Sequence, residues 1–271
     1  MRRMPHDFDA AIRLSPLGEH RFAGATHPAY ANMVGPYGGI TAAALLNAAL
    51  QHPQRLGDPI GLTVNFAAAL EDGGFEIEAR PLRTNRSTQH WLLLLTQGDA
   101  VAASGTAVFA SRRPTWSAPE AAMPAGLPAA AELPRAPTQG RPRWTQRYDM
   151  RFASSEGMTL DGRERPHSHS QLWVREEPPR PLDFAALAAL CDCFFPRIFI
   201  RRGQVAPIGT VSLTSYFHAD AALLAAQGER HLLGSARALN FRDGYFDQSA
   251  EVWSDAGELL ASTHQMVYYK A

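Results

Sequence analysis

Two stretches of the chain lose their polar residues for longer than a strand needs. Residues 35–51, GPYGGITAAALLNAALQ, and residues 182–199, LDFAALAALCDCFFPRIF, are almost wholly apolar, and the spacing predicts a helix in each. After each one the pattern shortens to runs typical of strands. The first half offers strands in IGLTVNFAAAL, GGFEIEARPLRTN, STQHWLLLLTQGD and AVAASGTAVFAS, preceded by a strand-like opening in AAIRLSPLGEHRFAGATHPAYA. The second half offers QRYDMRFASS before its helix, then IGTVSLTSYFHA, RHLLGSARALNFRD, GYFDQSAEVWSDAG and ELLASTHQMVYYK after it. Gly98-Asp99 and Asp255-Ala256-Gly257 are hairpin signals between neighbouring runs.

Both halves therefore run strand, helix, then several strands, and short matches reinforce the order. LTVNF at 62–66 and LTSYF at 213–217 follow the two helices, and AAS at 102–104 and LAS at 260–262 open the two last strands. Between the halves, residues 111–143 carry seven prolines among alanines, a density that precludes regular helix or central strand. The expected organisation is a unit over 1–112, a connector over 113–143 and a second unit over 144–271. The expected class is α+β, two copies of one unit in which an antiparallel sheet wraps a central helix.

Between Phe184 and Phe195 the second apolar stretch contains one charge, Asp192. Phe184, Leu187, Ala188, Cys191 and Phe195 fall on a stripe at helical spacing, and Asp192 stands one turn beyond Ala188, with Pro196 expected to stop the helix. A carboxylate near a packed face costs several kcal/mol unless something pairs with it. Polar residues intrude on neighbouring strands as well: Thr210 in IGTVSL and Gln265 in STHQMVYY.

Composition narrows the function classes. Twenty-six basic residues cancel 26 acidic ones, so no overall field attracts nucleic acid or an anionic membrane. The amino-terminal MRRMPHDFDAAIRLSP lacks the apolar core of a signal peptide, and no apolar run reaches the roughly 20 residues of a membrane span. Cys191 and Cys193, two apart in a helix, point to nearly opposite faces and are poorly placed to bridge. A reduced, cytoplasmic protein is expected, which makes the Asn85-Arg86-Ser87 sequon idle. His167 and His169, two apart with no further ligand nearby, read as loop residues and not as a metal site. Nucleophile-elbow, phosphate-loop and dinucleotide fingerprints are missing from the sequence.

The chain resembles the type II, TesB-like acyl-CoA thioesterases, hydrolases built as double hotdogs. In the first half the resemblance rests on GPYGGITAAALL, similar to the family's Gly-Gly entry into the central helix, and on VNFAAALEDGGFEIEARPLRTNRS. In the second half it rests on LCDCFFP, GTVSLTSYFH and ASTHQMVYY. The resemblance implies a double hotdog fold, a catalytic Asp192, Thr210 and Gln265, an acyl-CoA or other acyl thioester as substrate, and no cofactor. Thr210 lies eight residues before His218, as in the family pattern. Thr210, Ser212 and Thr214 alternate along the strand and are expected to share one side, so a register slip of two would move the role to Ser212.

The chemistry such a trio can perform follows from its groups. Hydrolysis of a thioester needs an activated water and a home for the oxyanion. Asp192 would act as general base, with Thr210 and Gln265 holding both it and the water. The helix entry at Gly38 and Gly39 is the candidate oxyanion site, where unpaired amides and the helix dipole favour negative charge. Arg83 and Arg86 in PLRTNRST are weaker candidates for the phosphates of coenzyme A, a solvated loop being the alternative. Two rivals stand beside hydrolysis: a double hotdog that binds acyl groups without turnover, and a hotdog hydratase, which would want an aspartate–histidine pair, His218 being the nearest histidine. A tandem of this kind already imitates a two-fold dimer, and further homo-oligomerisation is an open expectation.

Overall fold

Hydrophobic alternation along the strands builds a single antiparallel sheet, and the apolar helices lie against it. The structure, a computed structural model, describes residues 5–154 and 159–270. The leading MRRM and Ser155, the end of one expected strand, lie outside those residues.

Chain order begins with helix α1 (Asp7–Ala11) and strands β1 (Ser15–Pro16) and β2 (Arg21–Ala25), then helix α2 (Gly38–Gln51). Strands β3 (Asp58–Phe66), β4 (Gly74–Thr84), β5 (Thr88–Gln97) and β6 (Ala100–Ala110) complete the first half. The second half has β7 (Tyr148–Phe152), β8 (Ser170–Glu176), α3 (Phe184–Leu190), α4 (Arg197–Arg202), β9 (Ile208–Phe217) and α5 (Ala221–Gln227). It ends with β10 (Leu232–Arg237), β11 (Phe241–Arg242), β12 (Tyr245–Trp253) and β13 (Leu259–Tyr269). The sequence pattern gave no strand between 156 and 181, where β8 lies, and no helix at α1, α4 or α5.

The strand order is β1-β2-β4-β5-β6-β3-β9-β13-β12-β10-β8-β7, with β11 on β12. From the β3–β9 seam outward it reads the same in both directions: β6 answers β13, β5 answers β12, β4 answers β10 and β2 answers β8. At the seam Thr63 pairs with Thr214, the threonines of LTVNF and LTSYF, and their hydroxyls meet at 3.0 Å. An approximate two-fold axis therefore passes between them.

α2 and α3 pack together against the sheet. α2 buries residues from Gly39 to Ala49 nearly all round, and all seven residues of α3 are buried. A helix apolar on every side must be enclosed, and the alanines of both let the two axes approach closely. The helices run in opposite senses, so the end of α3 meets the start of α2. Residues 111–142 cross the surface without regular strand or α-helix, and their far end returns as a short 3-10 turn at 143–147 just before β7.

Candidate active site

The expected long helix is interrupted. α3 stops at Leu190, and Asp192 sits in the tight turn beyond it, closed by Asp192 N–H to Ala189 O at 3.1 Å and Cys193 N–H to Leu190 O at 3.2 Å. Pro196 is thus not the stop; it caps the start of α4 instead. The physical reason is that the partners of the carboxylate lie off the axis of α3, on another helix and on the sheet, and tertiary contacts of that kind override helix propensity.

Those partners are specific. Gln265, on β13 and 4% exposed, donates from Nε2 to Asp192 Oδ1 at 2.8 Å. Its Oε1 faces Thr210 Oγ1 at 3.5 Å, a long contact. The backbone amide of Gly39, in the first turn of α2, also donates to the carboxylate. α2 has no side-chain cap of its own, because its N-cap residue is Tyr37, so the carboxylate of the other half serves as its cap. Burial drives the Asp192 pKa up to about 7, and the Gln265 and Gly39 hydrogen bonds pull it partly back.

Gly38 makes this approach possible. A methyl group on it would stand 2.8 Å from Asp192 Oδ2, inside van der Waals contact. The Gly38 amide has no acceptor among the described residues, whereas the Gly39 amide is engaged by Asp192.

The strand geometry separates Thr210 from its alternatives, contrary to the expected shared side. Ser212 pairs with Met266, but Thr210 pairs with Val267, the next residue of β13. Val211 is therefore the extra residue of a β-bulge and is exposed. The bulge reverses the alternation, so Thr210 joins Gln265 on the inner face while Ser212 and Thr214 point outward. Thr214 is already engaged with Thr63 at the seam.

Other predicted residues stand elsewhere. Arg83 and Arg86 lie at the β4–β5 hairpin, at the end of the sheet where Leu56 N–H meets Gln89 Oε1, past the C-terminus of α2. Fourteen residues of α2, about 20 Å of helix, separate that end from Gly38. Arg83 donates to Asn85 Oδ1 at 3.0 Å within its own hairpin. His169 is hydrogen-bonded to Ser235 at 3.1 Å, and His167 is exposed. Cys191 and Cys193 are buried free thiols whose pKa values burial pushes up, that of Cys191 to about 12.

Three residues near the site went unnoticed in the sequence. Tyr37 donates its hydroxyl to Ala189 O at 2.6 Å. Arg197, wholly buried and without a carboxylate partner among the described residues, donates to the carbonyls of Phe195, Ser168 and Ala236, to Ser170 Oγ at 2.7 Å and to Gln248 Oε1 at 3.2 Å. It ties the segment after Asp192 to three strands, and burial lowers its pKa to about 9. Gln248 pairs with Gln265 across β12 and β13. Arg197 had a signal of the same kind as Asp192, a lone charge in the apolar run FFPRIFI.

The mirrored sheet and its two enclosed helices define a double hotdog of α+β class, with a polar junction where the halves meet. The model of the acyl-CoA thioesterase N-terminal domain matches residues 27–110 and that of the C-terminal domain matches 119–269, so the chain belongs to the acyl-CoA thioesterase family. It is 49% identical, over 99% of both chains and with a TM-score of 0.93, to a conserved protein of unknown function with hot dog fold from Alicyclobacillus acidocaldarius. At 21% identity, over 99% of both chains and a TM-score of 0.82, it shares its fold with a putative thioesterase II from Thermobifida fusca YX. A TesB protein from Mycobacterium avium subs paratuberculosis is 19% identical over 98% of both chains, with a TM-score of 0.80. No curated protein matches the chain.

Proposed function

We propose that the protein hydrolyses acyl-CoA thioesters to a free acid and coenzyme A, with Asp192 as the base that activates water. The observation that carries this is the Gln265 Nε2 to Asp192 Oδ1 hydrogen bond of 2.8 Å, formed at the start of α2, where the helix has no side-chain cap of its own. A carboxyl with a pKa of about 7 is ionised in a large fraction of molecules at neutral pH and is a far stronger base than an ordinary aspartate.

In this reading a water held by Asp192 and Thr210 attacks the thioester carbonyl carbon as its proton passes to Asp192. The oxyanion is met by the Gly38 amide and the positive end of α2. Collapse of the tetrahedral intermediate breaks the carbon–sulfur bond, and the leaving thiolate takes the proton from Asp192, which restores the carboxylate. Gln265 keeps one carboxylate oxygen fixed so that the other is free for the water.

The two rivals are disfavoured by particular contacts. A hydratase would need a histidine beside the acid, yet His218 is exposed, bound to Ser262 Oγ at 3.0 Å, and separated from Thr210 by most of β9. A passive acyl binder has no use for an amide that orients a half-buried acid, and Gln265 does that here.

Thiol release from acyl-CoAs of several chain lengths tests the proposal. Wild-type protein is expected to release thiol, and Asp192→Asn to lose about 10³-fold in kcat, within the usual span for a removed general base. Hydration of an enoyl thioester without thiol release, or binding without either reaction, would refute it.

A further inference from the structure

We propose that Tyr37 is a positioning residue for the Asp192 carboxylate, acting through the Ala189 carbonyl; this rests on the thioesterase reading above. Tyr37 belongs to the first half and is the residue before Gly38, so it marks the start of α2. Its hydroxyl crosses to the second half and donates to Ala189 O at 2.6 Å. The same carbonyl accepts the Asp192 N–H at 3.1 Å. One oxygen atom therefore receives both the tether from α2 and the amide of the candidate base, and a shift of one is transmitted to the other.

The phenol has no freedom to relocate. It is 2% exposed, and its ring stacks on Trp144 with centroids 4.2 Å apart and planes inclined by 7°. Tyr148 meets it edge-on at 6.2 Å. On the far side Gly39 leaves no slack, since a methyl there would lie 2.5 Å from both the Tyr37 ring and Ala189 O. Trp144 comes from the end of the proline-rich segment, anchored by its own N–H to Ala31 O at 3.3 Å. The segment that joins the two halves thus presses the tyrosine into place. The clamp fixes how far the Gly38 and Gly39 amides stand from the carboxylate they face, a separation on which both the base and the oxyanion site depend.

The other titratable groups around Tyr37 are Tyr148, Cys191 and Cys193, all buried and all held neutral by desolvation at ordinary pH. Asp192 is then the group whose titration reports on the clamp.

Tyr37→Phe keeps the ring and its stacking and removes only the tether. The expected result is a fall of about tenfold in kcat with KM changed less than twofold, and a downward shift of at least half a pH unit in the midpoint of the kcat/KM profile as the loosened carboxylate gains water. Carbon-13 titration of the Asp192 carboxyl, read without substrate, should show the same downward shift. Trp144→Leu removes the stack and leaves the hydroxyl, and should give a smaller change of the same sign, about threefold in kcat; it decides the matter if Tyr37→Phe does not fold. A folded Tyr37→Phe protein with a lowered melting temperature but wild-type kcat, profile and carboxyl titration would overturn the proposal and leave Tyr37 a packing residue. Absence of thiol release by the wild type would instead sink the thioesterase reading, and the titration would still judge the clamp.

Discussion

The α2–α3 pair has two ends, related by the approximate two-fold axis, and among the described residues only one of them carries an acid, an amide and a hydroxyl that converge. At the site end Asp192, Thr210 and Gln265 gather around Gly38 and Gly39. At the other end, where α2 finishes and α3 begins, a cleft of about 510 Å³ is lined by Asn47, Gln51, Asp183 and Phe184, with Arg13, Arg55 and Arg180 around it. The bulge in β9 has a twin in β3, where Pro59 pairs with Phe109 and Gly61 with Val108. That correspondence puts Pro59 in the place of Thr210 and Ala107 in the place of Gln265. Asn47 gives its amide to Ile12 O at 2.7 Å, and Asp183 caps its own helix through Ala186 N–H at 2.8 Å. The backbone is duplicated and the chemistry is not. A hotdog unit supplies the shape of a site at either end, and a handful of side chains decides which end can do anything.

Substitutions can test how complete that asymmetry is. The largest effect belongs to Asp192→Asn, and restoring a carboxylate at the other end by adding Asn47→Asp should recover no thiol release. Gly38→Ala, which drives a methyl group against Asp192 Oδ2, should cost about 10²-fold in kcat with little change in melting temperature. Gln265→Leu removes a hydrogen bond that favours the ionised acid. The carboxyl pKa should therefore rise above about 7, and the midpoint of kcat/KM against pH should move up with it while kcat falls about tenfold.

Stability carries a signature of its own. The folded carboxyl has a pKa of about 7 against an ordinary 3.8, so the folded state binds more protons between those values and stability falls as pH rises from about 4 to 7. Asp192→Asn should flatten that decline, by on the order of 2 kcal/mol in denaturant titrations, since the group retains some solvent contact. The smallest effect is expected from Asn47→Ala, with kcat changed less than twofold and a loss of about 1 kcal/mol from the amide–carbonyl bond to Ile12.

Much of this asymmetry was visible in the amino acids. A lone acid in an apolar run, a Gly-Gly helix entry and a glutamine in a terminal strand are local signals that survive without coordinates. The repeated succession of elements was legible too, because LTVNF and LTSYF follow the two helices at equivalent places; that they meet at the seam of the sheet was not. What the pattern could not supply were events caused by distant contacts. The end of α3 at Leu190 depends on partners from α2 and β13, and the side on which Thr210 lies depends on one extra residue at Val211. β8 escaped notice because its apolar core, LWV, is only three residues long and follows a polar, histidine-bearing stretch. Tyr37 looked like part of a turn, since nothing within its own half reveals a hydroxyl committed to a carbonyl 152 residues away.

The proposed site draws its glycines from one half and its acid, hydroxyl and amide from the other. Neither half, expressed alone, would own a complete set. Severing the link anywhere in the exposed stretch at 111–122 would leave two polypeptides that must find each other along the Thr63–Thr214 seam before turnover resumes. Recovery of activity would then rise with the concentrations of both fragments, as in an obligate heterodimer, so the covalent joint acts here as a device for keeping partners at fixed one-to-one stoichiometry.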